Sequence, residues 1–302
     1  MTPLIWGAAG VAAAGGLYTL DRVANAVVRP VPGDPDVTVP ELGISYEDLD
    51  IPSGDHVLKG WLLHGEREGR SDANDPLVLL THGWGASYGT VLQLALPLVK
   101  AGYDVLVFDI RGHGRNAAVP FATVRHFRDD VEAVVRYARD RFPARQLVAG
   151  GHSLGAAAVV LAAARGAPVA GLVLVASPAD VLEVTADYLR SRGFPGRFMV
   201  VALRPFWWMR IRGSFRGLVP STAIARVRRP VLIVQAGRDR RVPAEHAGRL
   251  ARASGRPVHV VPGAGHTEVL GSPETHRLVL EFLKTMAVTG PGDRGSAVWP
   301  PS

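Results

Sequence analysis

The chain has 302 residues, of which 47% are hydrophobic, a composition typical of a globular protein with a sizeable core. It contains no cysteine, which excludes disulfides and thiolate zinc sites, and no cluster of residues has metal-ligand spacing. The formal net charge of +7 comes mostly from arginine, yet no basic region has the spacing of a nucleic-acid-binding motif. We therefore expect no metal, no cofactor and no nucleic-acid partner.

Residues 1–29 form an apolar N-terminal segment, and its stretch from Leu4 to Leu20 carries no charged side chain. A membrane-spanning helix needs about 20 apolar residues, with a lower limit near 17, so the length is borderline. We favour a membrane anchor and hence a membrane-associated protein. The alternatives are a cleaved signal peptide, although basic residues are missing at its start, and an N-terminal helix packed on the domain. Without an anchor, we expect a cytoplasmic or secreted protein.

Residues 30–43 are rich in proline and glycine and are predicted to be a linker. The next two apolar stretches, Ile44–Ile51 and Val57–Leu63, are separated by a Ser-Gly-Asp turn at 53–55. This arrangement predicts a β-hairpin.

From residue 77 onward, short apolar runs alternate with helical patterns, which is typical of a parallel sheet covered by helices on both faces. The predicted strands are Leu77–Thr81, Val105–Phe108, Leu147–Ala149, Leu172–Ala176, Val231–Gln235 and Val258–Val261. The predicted helices are Tyr88–Lys100, Phe127–Arg141, Leu154–Arg165, Ala244–Ala253 and Pro273–Met286.

One long stretch interrupts the alternation of strands and helices, and we interpret residues 178–229 as an inserted helical cap. The core of the domain then comprises residues 44–177 and 230–287. Residues 288–302, which are rich in proline and glycine, are predicted to be a frayed tail.

The pentapeptide Gly-His-Ser-Leu-Gly at 151–155 separates a short apolar run from a run of small residues that predicts a helix. A serine at such a junction takes a strained backbone conformation that holds its hydroxyl above the sheet edge, beside the helix N-terminus. The flanking glycines let strand and helix approach each other. We therefore predict that Ser153 is a catalytic nucleophile, which needs a nearby base and a group that orients this base.

The loop Thr-His-Gly-Trp-Gly at 81–85 follows the first predicted parallel strand. A backbone N–H in this loop can point at a substrate carbonyl, and we assign this donor to Trp84. The N–H of Leu154 is the predicted second donor of an oxyanion hole, in which each donor is worth about 10²–10³ in rate. We interpret His82 as a structural residue whose ring braces the loop, because a triad needs only one base.

Two carboxylates compete for the role of the acid that orients the base. Asp239 directly follows one predicted strand, and Asp180 follows the preceding strand. A carboxylate at the end of a strand can fix the tautomer of a histidine, and we favour Asp239. His266, in Gly-Ala-Gly-His at 263–266 after the last strand, is the predicted base, because glycines allow close approach and imidazole titrates near neutral pH.

The chain order Ser153, Asp239, His266, with each residue after a strand, resembles the α/β-hydrolase superfamily over about residues 44–287. The segment 102–114, Gly-Tyr-Asp-Val-Leu-Val-Phe-Asp-Ile-Arg-Gly-His-Gly, looks like the strand and loop that follow the oxyanion loop in serine hydrolases of this superfamily. It most resembles the serine aminopeptidase-like and monoacylglycerol-lipase-like subgroup, which contains many esterases.

The resemblance implies an α/β-hydrolase fold with an eight-stranded, mostly parallel sheet. It also implies a catalytic triad of the three residues just named, with water as the acyl acceptor. One departure is the pair Arg115-Asn116, because the subgroup usually has a serine after the last glycine. A serine nucleophile argues against the dehalogenase and epoxide-hydrolase branches, which use an aspartate.

The predicted cap has ten arginines and no acidic residue between Tyr188 and Arg229, interleaved with aromatic and other apolar side chains. This composition fits an interface between apolar and aqueous phases, and we expect a contact with a membrane surface. The alternative is that the aromatic side chains pack the cap onto the core.

These observations predict a serine hydrolase that cleaves small-molecule carboxylic esters with an apolar acyl group through an acyl-enzyme. A peptidase or amidase of the serine aminopeptidase type would use the same triad, and only the pocket would distinguish it. An acidic site for the amino terminus of a substrate would favour the peptidase. A non-catalytic lipid-binding protein is the third interpretation, although binding alone does not require a triad.

Overall fold

The structure, a computed structural model, describes residues 2–30, 33, 35, 37–66, 75–211 and 214–288, and of residues 2–13, 287 and 288 it describes the backbone only. Within these residues the strands are β1 (Tyr46–Ser53), β2 (His56–Leu63), β3 (Leu77–Thr81), β4 (Val105–Phe108), β5 (Leu147–His152), β6 (Gly171–Val175), β7 (Val231–Ala236) and β8 (Val258–Val261). The helices are α1 (Thr2–Val28), α2 (Tyr88–Lys100), α3 (Val124–Arg141), α4 (Leu154–Ala164), α5 (Val181–Ser191), α6 (Gly196–Ile211), α7 (Pro220–Ile224), α8 (Ala244–Ser254) and α9 (Pro273–Val288).

All the described strands join one sheet in the order β1-β2-β4-β3-β5-β6-β7-β8. The β1–β2 and β2–β4 pairs are antiparallel, and the remaining neighbours run parallel. The central strands are buried along their whole length, which explains their continuous apolar sequences. The predicted eight-stranded, mostly parallel sheet is therefore confirmed, and the hairpin lies within two residues of its predicted position.

Two apolar clusters cover the two faces of the sheet. One joins the sheet to α3 and α4 and contains Phe127 and Val159, and the other joins it to α2 and α9 and contains Leu94 and Phe282. Helix α4 contributes mainly alanine and valine, so it approaches the sheet closely. Helices on both faces are thus confirmed, and the carboxyl ends of the parallel strands remain available for a site.

Helices α5, α6 and α7 occupy the region between β6 and β7 where the sequence predicts a cap. Whether residues 178–229 behave as a separate unit stays a prediction. The N-terminus of α5 is capped by Asp180, whose side chain accepts hydrogen bonds from the backbone N–H groups of Leu182, at 2.8 Å, and Glu183, at 3.4 Å. This use of Asp180 bears directly on the choice of the triad acid.

The C-terminal half of α1 packs against α6. Ala24 is fully buried, and its carbonyl accepts a 2.9 Å hydrogen bond from the indole Nε1–H of Trp207. Asp21 forms a 2.8 Å ion pair with Arg210. Among the described helices, none combines the length and the apolar character that a bilayer span requires. The favoured anchor interpretation is therefore not supported, and the contacts of α1 match the alternative of a helix packed on the domain.

The predicted linker is only partly described, since residues 31, 32, 34 and 36 lie outside the described residues. Its second half contains a short 3-10 turn at Val39–Leu42, and Val39 is fully buried in the cluster around α2. The predicted tail lies outside the described residues beyond residue 288.

Candidate active site

Ser153 occupies the sharp turn between β5 and α4. Its backbone angles are φ 54° and ψ −123°, in a region that residues with a Cβ rarely adopt. A Cβ on Gly151 would lie 2.5 Å from the carbonyl carbon of Gly155, and one on Gly155 would lie 2.3 Å from the carbonyl oxygen of His82. The predicted strained junction with two obligatory glycines is therefore present, and it holds Ser153 at the carboxyl edge of the sheet.

Asp239 and His266 follow β7 and β8 and meet at the same edge. The Nδ1 atom of His266 lies 2.7 Å from Oδ2 of Asp239. A carboxylate at Nδ1 fixes the tautomer with the proton on that nitrogen and leaves Nε2 as the basic atom. Two of the three predicted triad residues are thus in direct contact, in the geometry that a general base requires.

The Asp239 carboxylate is held by several donors. Burial opposes its ionisation, but hydrogen bonds from His266 and from the backbone N–H groups of Val242 and Arg241 outweigh burial and lower the pKa of Asp239. An ionised acid is the state that stabilises imidazolium. Asp180, the rival candidate, is instead bonded to the first turn of α5.

His152 connects the serine turn to the loop of the predicted base. Its Nε2–H donates a 2.7 Å hydrogen bond to the carbonyl oxygen of His266, and the two imidazole centroids are 4.6 Å apart. Burial, together with repulsion from His266, lowers the pKa of His152 to about 4, so its ring is neutral at neutral pH. Sequence reasoning did not single out this residue, although its place beside Ser153 in the pentapeptide is a signal.

The loop after β3 approaches the nucleophile at Gly83, the residue before the predicted donor Trp84. A Cβ on Gly83 would lie 3.1 Å from the Cβ of Ser153, so the loop backbone touches the serine. Among the described residues, no carbonyl or side chain accepts a hydrogen bond from the backbone N–H of Trp84 or Leu154. Leu154 is also the first residue of α4, where N–H groups have no partner within the helix. Both predicted donors therefore remain free for a substrate oxygen.

His82 braces this loop, as the sequence analysis predicts. Its Nδ1–H donates to the carbonyl oxygen of Gly83 at 2.7 Å, and its Nε2 accepts from the backbone N–H of Ile110 at 3.0 Å. Burial, with added repulsion from His113, lowers the pKa of His82 to about 3. Because its ring is neutral and both ring nitrogens are hydrogen-bonded, His82 has a structural role: it connects the loops after β3 and β4.

Asp109 and Asn116 are two further buried residues of the edge that sequence reasoning left unassigned. The Asp109 carboxylate accepts hydrogen bonds from the backbone N–H groups of Tyr88, at 2.7 Å, and Arg115, at 2.9 Å. Asn116 donates to the Asp109 carbonyl and accepts from the Lys59 N–H at 2.8 Å, which connects the β4 loop to β2. The pair Arg115-Asn116, a departure from the subgroup in sequence, thus contributes three of the hydrogen bonds that shape this loop.

Comparisons with known proteins agree with this architecture. A family model described as "Serine aminopeptidase, S33" matches residues 72–203. The uncharacterized Mycobacterium tuberculosis protein Rv2307c is 33% identical over 229 residues, which are 73% of this chain and 74% of that protein. The bifunctional esterase/perhydrolase DCH of Acinetobacter calcoaceticus is 27% identical over 58% of this chain and 78% of its own.

Among solved structures, the Pyrococcus furiosus esterase Pf2001 superposes with a TM-score of 0.65. The match covers 85% of this chain and 98% of the esterase at 22% sequence identity, so it is evidence for the fold. The sheet order, the strained serine turn and the matching family model lead to the same assignment. The chain belongs to the α/β-hydrolase superfamily.

Proposed function

We propose that the protein is a serine hydrolase that cleaves carboxylic esters with an apolar acyl group. The observation that carries the proposal is the 2.7 Å contact of His266 Nδ1 with Asp239 Oδ2, at the edge where the strained turn presents Ser153. A lipid- or partner-binding protein has no need for an oriented imidazole or for a serine in a strained conformation. The esterase names of DCH and Pf2001 support the same reaction class.

In the proposed mechanism, the Oγ atom of Ser153 attacks the ester carbonyl while Nε2 of His266 takes the hydroxyl proton. Asp239 stabilises the imidazolium, and the N–H groups of Trp84 and Leu154 bind the oxyanion. Collapse of the tetrahedral intermediate transfers the proton to the leaving alcohol and leaves an acyl-serine. Water, deprotonated by His266, then attacks the acyl carbonyl and releases the acid and the free serine.

The cap gives reasons to prefer an apolar acyl substrate over a peptide amino terminus. The described cap has three acidic residues, and all are engaged: Asp180 caps α5, Glu183 pairs with Arg249, and Asp187 pairs with Arg190 at 2.9 Å. A site for a substrate ammonium group needs an available carboxylate. The cap is instead rich in aliphatic and aromatic side chains, which bind acyl chains without directional contacts.

A peptidase or amidase is the second candidate, because the matching family model is a serine aminopeptidase. The triad would be the same, so the choice depends on which group the pocket binds. This candidate predicts that aminoacyl p-nitroanilides are better substrates than p-nitrophenyl esters. The engaged carboxylates of the cap favour the ester.

The test is a series of p-nitrophenyl esters of increasing acyl length, measured beside aminoacyl p-nitroanilides. Each buried CH₂ contributes about 0.8 kcal/mol, so kcat/KM is expected to rise about four-fold per methylene until the pocket is filled. Equal kcat/KM along the series would contradict an apolar acyl pocket. Faster turnover of the anilides would favour the peptidase.

Ser153→Ala is the control that connects activity to the site. Removing the nucleophile is expected to reduce kcat by roughly 10⁶, while the melting temperature stays close to that of the wild type. A fluorophosphonate probe should label the wild type and leave the variant unlabelled. Labelling or hydrolysis that persists in the variant would refute the assignment of Ser153.

A further inference from the structure

The outward face of the cap carries a row of exposed apolar side chains. Phe194 lies just before α6. Phe198, Val201 and Trp208 lie on α6, and their spacing of three and seven residues places them on one face of the helix. Between 51% and 69% of each side chain is exposed. We call these four residues the outer stripe.

The opposite face of α6 is also apolar. Val200, Leu203, Trp207 and Ile211 are buried against the rest of the molecule. A helix that is apolar on both sides is normally enclosed on both sides. In the described structure only the inner side is covered, so the outer stripe leaves a large apolar area in water, which marks an interaction surface.

The charged side chains of α6 are all positive. Helix α6 contains Arg197, Arg204 and Arg210 and no acidic residue, and Arg210 already pairs with Asp21. Among the described residues, no carboxylate lies within ion-pair distance of Arg197 or Arg204. Both arginines are exposed beside the stripe, so the surface combines apolar insertion with positive charge.

Helix α1, which packs against the inner side of α6, has exposed apolar side chains of its own. Its first 19 residues, Thr2 to Leu20, carry no charge. Leu17 and Tyr18 are exposed at 59% and 67%, just before the turn where Asp21 meets Arg210.

We propose that the outer stripe docks on the surface of a bilayer that contains anionic phospholipids. Aromatic side chains would enter the boundary between headgroups and acyl chains, and Arg197 and Arg204 would reach the phosphates. Helix α6 would lie along the membrane rather than cross it. The anionic lipid is the chosen partner because its charge complements Arg197 and Arg204, which have no ion-pair partner among the described residues.

A second copy of the chain is a poorer partner for this face. In a symmetric dimer the same patch meets itself, so arginine would face arginine across an apolar contact. Like charges in such a position oppose association. The proposal does not depend on the hydrolase assignment, because it uses no residue of the candidate active site.

The test is flotation of the full-length protein with phosphatidylcholine vesicles, with and without phosphatidylglycerol, at low and high salt. We expect binding to the anionic vesicles that weakens as salt rises, and much weaker binding to the neutral ones. Arg197→Gln with Arg204→Gln should weaken anionic binding about 25-fold, at about five-fold per arginine, and flatten the salt dependence. Phe198→Ser with Trp208→Ser should weaken it by about ten-fold or more.

Matched controls are Val57→Ser, which removes an exposed valine at the hairpin, and Arg136→Gln with Arg252→Gln, which removes two exposed arginines elsewhere. The controls should bind like the wild type, and thermal melts should confirm that all variants are folded. Wild-type protein that fails to float, or binding that both α6 double variants leave intact, would overturn the proposal. Light scattering that shows a dimer dissociated by the Phe198 and Trp208 changes would assign the face to self-association instead.

Discussion

The carboxyl edge of the sheet and the α5–α6 pair of the cap differ in what holds them together. At the edge, backbone approaches backbone: the Cβ that Gly155 lacks would lie 2.3 Å from the carbonyl oxygen of His82. In the cap, large side chains fill the space between helices. Trp207 of α6 packs against α1 and is only 3% exposed. A change at the edge therefore disturbs geometry, whereas a change in the cap alters burial.

The two regions also differ in their ionisable groups. The edge contains His82, His113 and His152, and burial lowers the pKa of each of them. Residues 178–229 contain no histidine, and their charge comes chiefly from arginine, which keeps its proton at any ordinary pH. A fall in pH is therefore expected to change the charge of groups at the edge, whereas a rise in salt concentration is expected to weaken the charge interactions of the cap. Four predictions, in order of expected effect, test this contrast.

Among these four predictions, the largest effect is expected from the triad acid. Asp239→Asn should reduce kcat by about 10⁴, equivalent to about 5.5 kcal/mol, because an amide no longer fixes the His266 tautomer or stabilises imidazolium. Asp180→Asn is the matched control in the cap and should lower kcat less than ten-fold, because an asparagine still caps α5. Steady-state kinetics on one ester compares them. A larger loss for the Asp180 variant would reassign the acid.

The next effect concerns packing in the cap. Trp207→Ala should reduce the free energy of unfolding by about 3–5 kcal/mol, because it opens a cavity and removes the hydrogen bond to Ala24. The neighbouring Trp208→Ala changes an exposed side chain and should stay within about 0.5 kcal/mol. Urea unfolding of both variants measures the difference. Equal losses of unfolding free energy in the two variants would show that the packing of Trp207 against α1 adds no stability.

The third prediction is an acid sensitivity that originates at the edge. The pKa of His82 is about 3 in the folded protein, and a histidine in an unfolded chain titrates near 6.5. The unfolded state binds more protons between these values, so the stability is complete above pH 6.5 and decreases as pH falls towards 3. At pH 5 this group alone is expected to cost about 2 kcal/mol.

Urea unfolding from pH 8 to pH 5 tests this expectation. His82→Gln should make the stability less dependent on pH, whatever its effect at pH 8. His56→Asn, in the hairpin, is the control and should keep the wild-type slope. An unchanged slope in the His82 variant would contradict a neutral buried ring.

The smallest effect is expected from two His152 variants, which distinguish the contribution of its aromatic ring from that of its hydrogen bond. His152→Phe keeps an aromatic ring but removes the donor to the His266 carbonyl, and should lower kcat about ten-fold with KM unchanged. His152→Gln keeps an N–H donor and should stay within about three-fold. The fluorophosphonate labelling rate reports the same ranking without turnover. Identical losses in both variants would indicate that the residue only fills space.

Much of the fold is predictable from local pattern, and the deviations have local causes. The bounds of β3, β4 and β8 agree with the prediction to the residue, because proline, aspartate or histidine flanks each of these runs. Strand β5 continues beyond Ala149 to His152, since its glycines lack the side chains that mark a strand.

The packing partner of α1 and the hydrogen-bond partner of His152 could not be predicted from the sequence. An uncharged helix has the same composition whether it crosses a bilayer or packs on a protein, and the contact of Ala24 with Trp207 joins positions 183 residues apart. The bond from His152 to His266 likewise spans 114 residues. Both depend on how β5, β8 and the cap are arranged. In contrast, Ser153, Asp239 and His266 could be predicted from the sequence, because each of them follows the end of a predicted strand.

The tight serine turn has a consequence for how tolerant the chain is of mutation. In a saturation screen that measures hydrolysis, positions 151 and 155 should reject nearly every substitution, as the position of the nucleophile does, because any side chain collides with main-chain atoms. Such a screen would count these glycines among the chemically essential residues. A parallel screen for soluble yield would separate the two groups, since Ser153→Ala should accumulate normally and the glycine substitutions should not.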